Sequence, residues 1–247
     1  MNNRLSLIII EYKYIFKMAR TQLLYVFVMF LMLYLLPYVA RTQILLRNIE
    51  EIAPDASNVI LSSFSNTVLP LTIPFMVGLT ISSILQFIDF EKRDKVFEQI
   101  FLLPFHNLEI FYLRFVSSAL VSISQITFFY IVFFISLLFT GGAPPISGMI
   151  SVMCMASLLT FPILYVVYFA MHILQSQHVK LIRISIFLPT ILFPSLLMSL
   201  QTESNMFNPN IYNQIFVGLS LFFSVIALIL HWKYKRKIVE KTIINSW

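Results

Sequence analysis

Residues 56–88 and 115–179 contain no Asp, Glu, Lys or Arg at all. Runs of that length constrain the fold more than any motif does. A helix crossing the hydrocarbon core of a bilayer needs about 20 mostly apolar residues. In lipid, a helix also satisfies its own backbone hydrogen bonds. The rest of the chain follows suit: 59% of its 247 residues are hydrophobic and only 11% are charged, where soluble domains average about 25% charged. Six stretches qualify as spans, roughly 21–40, 66–88, 115–139, 148–173, 184–200 and 214–232. No segment between them is long enough for a soluble domain. The expectation is an all-α integral membrane protein, one domain over 1–247.

The charges set its orientation. Fifteen of the 17 Lys and Arg fall in the first 20 residues, in 90–114, in 174–183 and after 232. Only Arg41 and Arg47 fall on the opposite side, where Glu50, Glu51 and Asp55 offset them. Loops rich in Lys and Arg stay in the cytoplasm, so both termini are expected there. The net charge of +6 then reports topology, not a nucleic-acid surface, because the positive groups are spread along one membrane edge.

Between the two uncharged runs lies FEKRDKVFEQIFLLPFHNLEIFYLR, residues 90–114. Its ionised groups belong in water or among headgroups, since charges at the bilayer centre are costly. Val96, Phe97, Ile100, Phe101 and Leu103 recur at helical spacing, and Pro104 ends the run because it lacks the N–H and clashes with the preceding turn. An amphipathic helix over 91–103 is expected, with an apolar face against the membrane domain and a charged face free for a partner.

Glu91-Lys92, Glu98-Gln99, the two bulky apolar residues before Pro104, Leu108-Glu109 and Arg114 resemble the cytosolic coupling segment of ABC-2 type transporter permeases. At Lys95-Val96 the chain departs from the Gly-Thr of that pattern, so the helix is expected to run straight through. In that family the segment joins the second and third spans and docks on an ATPase subunit. The resemblance implies ATPase-coupling roles for Glu91, Arg93, Lys95, Glu98, Gln99, Pro104 and Glu109. It also implies a partner ATPase that binds ATP and magnesium, a second permease copy in a homo- or heterodimer, and a bacterial plasma membrane. No cofactor is expected on this chain.

Residues 4–20 place Leu5, Ile8, Ile9, Tyr12, Ile15 and Phe16 on one helical face, with Glu11, Lys13, Lys17 and Arg20 elsewhere. That is the pattern of a helix lying in the membrane interface, and the resemblance implies the same for 1–20. Glu50-Glu51 reads as a solvated acidic patch. Pro70, Pro74 and Gly78 mark the second span, and the turn 140–145 makes the third and fourth spans a hairpin. His178, Lys180 and Arg183 form a second cytosolic contact. His172 and His178 are not spaced to share a helix face for a metal and read as interfacial polar residues. Pro189 and Pro194 in a short fifth span predict a break or re-entrant element between 188 and 209. Cys154, the single cysteine, reads as a small packing residue. The charged first 20 residues show no cleavable signal.

Several activities find no residues to carry them. The five glycines cannot build a phosphate-binding loop, so any ATPase is expected on a separate chain and this one is not expected to be an enzyme. No expected span carries a charge for a proton or sodium relay. There is no H-E-x-x-H and no G-x-S-x-G. The leading expectation is therefore the membrane subunit of an ATP-driven exporter. Its uncharged path, rich in Phe, Ile, Ser and Thr, suits amphipathic cargo, as in staphylococcal-type exporters of helical peptide toxins. Export of drugs, lipids or polysaccharide, a membrane enzyme, and an immunity or sensor subunit without transport are the alternatives.

Overall fold

A computed structural model describes residues 5–17, 28, 57–93, 107–139, 146–173 and 209–244. These form helix α1 (5–17) and four long helices: α2 (Ser57–Arg93), α3 (Asn107–Phe139), α4 (Ile146–Ile173) and α5 (Pro209–Ile244). No strand occurs among the described residues. Each long helix contains a stretch long and apolar enough to cross a membrane: Thr72–Glu91, Leu108–Ile135, Ile146–Met171 and Gln214–Lys233. The expected spans 66–88, 115–139, 148–173 and 214–232 match these helices. The expected spans 21–40 and 184–200, the helix 91–103 beyond Arg93, the contact 174–183 and the re-entrant element before Pro209 lie outside the described residues.

The helix limits follow local chemistry. α5 begins at Pro209, where a missing N–H removes nothing, because the first four N–H groups of a helix lack partners anyway. α3 begins three residues after Pro104, with Glu109 in its first turn, where a carboxylate meets the positive end of the helix dipole. α2 accommodates Pro70 and Pro74, and Thr72 between them donates to the Leu69 carbonyl at 2.6 Å.

Side-chain pairs fix how the helices run. Thr72 meets Tyr130, Ser83 meets Gln125 and Glu91 meets Arg114. One partner's number falls as the other's rises, so α2 and α3 are antiparallel. Phe111 packs on Tyr168, and Phe115 packs on Phe161, so α3 and α4 are antiparallel too. Ser220 donates to the Leu158 carbonyl and His231 meets Tyr165, so α4 and α5 are parallel. The chain therefore leaves α4 at one end of the bundle and enters α5 at the other.

α2 is the axis of the bundle. Ile73, Phe75, Met76, Val77, Leu79, Ile81, Ile84 and Leu85 point in every direction around it, and all are buried. A helix that is apolar and buried all round belongs to the interior. Cys154 faces outward on α4, contrary to the expected packing role, because the bundle is covered on the other side of that helix.

Candidate functional site

The pairs between α2 and α3 form a polar ladder within an apolar bundle. At one end Thr72 Oγ1 lies 2.9 Å from the Tyr130 hydroxyl. Further along, Ser83 Oγ donates to Gln125 Oε1 at 3.0 Å. Thr80, Ser122 and Thr160 return their hydroxyl protons to carbonyls of their own helices, and the single Ser83 proton is shared between Gln125 and the Thr80 carbonyl. Each bond matters where water is absent, since an unsatisfied buried polar group costs a few kcal/mol.

The ladder ends in charge. Arg114 Nη2 donates to Glu91 Oε2, forming an ion pair, and Arg114 Nε lies 3.8 Å from Glu11 Oε2. Arg114 is 1% exposed and Glu91 2%; Glu11 is half-buried. Three elements thus meet at one guanidinium: α1, α2 and α3. Desolvating each ion costs several kcal/mol, and the pairing offsets that only when the geometry is good. Two carboxylates around one guanidinium leave the group with one net negative charge. Asp89 is buried one half-turn before Glu91.

This arrangement corrects two expectations. No span was expected to hold a charge, and Glu91 was expected on a free charged face of a helix over 91–103. Instead α2 continues to Arg93 and α3 starts at Asn107, which sets Glu91 and Arg114 opposite each other on an antiparallel pair. Once buried, each needs the other more than either needs a distant partner. A signal was present in the sequence: opposite charges, Glu91 and Arg114, where one expected span has just ended and the next is about to begin. Arg93 is the last residue of α2, and Glu109 is half-buried in the first turn of α3. Lys95, Glu98, Gln99, Pro104, His178, Lys180 and Arg183 lie outside the described residues.

A second cluster was missed entirely. His231, near the end of the α5 span, has its Nδ1 2.7 Å from the Tyr165 hydroxyl and 3.2 Å from that of Tyr112. Around it Phe111, Phe115, Tyr165, Tyr168 and Phe169 pack edge to face, with ring centroids 5.1 to 6.4 Å apart. The cluster ties α3, α4 and α5 together. His172 and His178 drew attention by their closeness in sequence, whereas His231 finds its partners only through the fold.

α1 lies along the charged end of the bundle. The Ile8 carbonyl accepts from Ser117 Oγ at 3.3 Å, the Tyr12 hydroxyl meets Ser124 Oγ at 3.1 Å, and Tyr14 packs edge-on against Phe87. Ile15 is fully buried, whereas Leu5, Ile9 and Phe16 are exposed. The side of α1 that meets the protein is therefore centred on Ile8, Glu11 and Ile15, rotated from the apolar face read in the sequence. Glu11 is turned inward by Arg114.

Among the described residues no three His, Cys, Asp or Glu side chains come together to hold a metal ion. No family model, curated protein or solved structure matches the chain. The described residues are all helical, and the four long helices among them are suited to a membrane.

Proposed function

We propose that this chain is the membrane-spanning subunit of an ATP-driven exporter of ABC-2 type, with hydrolysis on a separate ATPase. The carrying observation is the stretch 90–114. Its sequence resembles the coupling segment of such permeases, and its two ends are clasped by the Glu91–Arg114 pair. In this reading a push on residues 94–106 reaches α2, the axis of the bundle, through a buried ion pair. In this reading two copies enclose a path for an amphipathic peptide in a bacterial plasma membrane, with both termini cytoplasmic. The parallel course of α4 and α5 supports one further crossing between them, which together with the span expected at 21–40 makes six. A nucleotide state moves the spans only through contacts that differ between states, and Glu98 is a charged position from which such contacts are expected.

Glu98→Arg tests this reading. Reversing one member of a close pair across an interface costs several kcal/mol. With the ATPase co-reconstituted, the variant is expected at parental abundance but without peptide-stimulated ATP hydrolysis or peptide uptake into inverted vesicles. Full coupling and full complex assembly by Glu98→Arg would remove the loop from the ATPase interface. Coupled hydrolysis with no uptake of any amphipathic peptide by the parental complex would favour the immunity or sensor role instead.

A further inference from the structure

We infer that Glu11 and Glu91, gathered around Arg114, form a binding site for one proton, which they hold between them near neutral pH while α1 is docked. This goes beyond the exporter reading and does not depend on it. Glu91 and Arg114 are buried, and so is the Glu11 oxygen that faces the guanidinium. Among the described residues Arg114 is the one cation that meets either carboxylate. With both carboxylates ionised, the group keeps a net negative charge away from water. A buried ionisable group in that position neutralises through its proton rather than bear the charge.

The contacts point the same way. Arg114 donates to Oε2 of Glu91, while Glu91 Oε1 is buried with no donor among the described residues. Glu11 Oε2 lies 3.8 Å from Arg114 Nε, too far for a hydrogen bond, and it too is buried without a donor among them. An ionised carboxylate accepts at both oxygens, so each of the two is left short. Protonation removes the excess charge. An O–H forms on one carboxylate oxygen, the proton comes from water on the exposed side of Glu11, and no other bond changes. Four helices face the site: α1 with Glu11, α2 with Glu91, α3 with Arg114 and α4 with Tyr168, which acts electrostatically on the other three. Asp89 on α2 and Glu109 on α3 have interactions of their own, and no charged group of α5 acts on the site. Carboxylates this strongly linked titrate as a unit, so the proton belongs to the pair. Its loss has a direction. Glu91 keeps the Arg114 hydrogen bond on the central helix, whereas Glu11 is half-buried at the edge. Glu11 therefore turns to water and α1 loosens. The docked state binds a proton that the undocked state lacks, so docking weakens as pH rises, by up to about tenfold per pH unit.

The full chain is reconstituted into lipid nanodiscs, and infrared difference spectra at neutral pH compare the parent with Glu11→Gln and with Glu91→Gln. Each variant leaves one carboxylate to one guanidinium. The parent is expected to show a protonated-carboxyl band, shifted in heavy water, that both variants lose; either variant alone identifies it. In a Cys154→Ser background, spin labels at Lys13→Cys and Leu120→Cys, both exposed, report the docking of α1 by pulsed electron resonance. The docked population should fall with rising pH in the parent, by up to about tenfold per pH unit, and stay constant in both Gln variants. Absence of the difference band overturns the inference, and so does a band that survives in both variants and thus belongs to another carboxyl such as Asp89. A label distance indifferent to pH in the parent, or equally pH-dependent in the variants, overturns it too.

Discussion

α2 and α5 are both long membrane-suited helices, and they sit at opposite extremes of the fold. Of the α2 span, 83% is buried inside the bundle; of the α5 span, 11%. α2 has the lowest hydropathy of the four spans and α5 the highest, with α3 and α4 falling in order between them. Burial and hydropathy thus rank in opposite directions. In water the reverse is expected, because apolar surface is driven inward. Lipid tails are as apolar as leucine, so Leu221, Phe222, Val225, Leu228 and Ile229 lose nothing by remaining outside. Thr72, Thr80, Ser83 and Glu91 must find partners and are drawn to the middle.

The largest expected effect breaks the polar interior at its charged end. Arg114→Leu leaves the Glu91 carboxylate buried without its guanidinium and is expected to destabilise by about 3–5 kcal/mol, measured as thermal unfolding of the purified protein in detergent. Arg114→Leu with Glu91→Leu should recover most of that loss, since two packed apolar side chains replace the pair. A single variant that melts with the parent would mean that the pair is solvated and that α2 is no interior helix at that level.

A smaller effect compares the two helices directly. Ile84→Ala in α2 removes a fully buried side chain and should cost about 2–4 kcal/mol by loss of packing. Leu228→Ala in α5, at a position 68% exposed, should stay within about 0.5 kcal/mol. Equal losses by the same melting assay would erase the distinction and show that α5 is covered by another surface.

The smallest effect sharpens the attachment of α5. Its described polar ties to its neighbours are those of His231 and Ser220. Tyr165→Phe removes the 2.7 Å contact to His231 while keeping the ring in its aromatic cluster. Hydrogen bonds between membrane helices average about 0.6 kcal/mol, so a small loss of that order is expected on melting. A loss several times larger would identify the cluster as the main anchor of α5.

The helices themselves were legible because period, length and charge-free composition all speak to the same property. Four of the expected spans agree with helices to within a turn or two at most ends, with longer extensions where α2, α3 and α5 run past the hydrocarbon limits. The candidate site was legible only as a stretch. Glu91, Arg93 and Glu109 were singled out for their charge, but Arg114 entered only as the end of a pattern. Its burial depends on α2 and α3 both extending past their expected ends, which hydropathy does not register. Tyr112, Tyr165 and His231 lie 119 residues apart at their widest, and no local pattern joins them.

By itself the sequence determined that this chain is helical and suited to a membrane, because the length of an uncharged apolar run needs no partner to be meaningful. Which helix stands at the centre, which way Glu11 turns, and which carboxylate Arg114 answers were decided only by the tertiary structure. In a uniformly apolar chain the hydrophobic pattern does not choose an inner face. A few polar groups choose it instead, and their choice exists only once three helices are side by side.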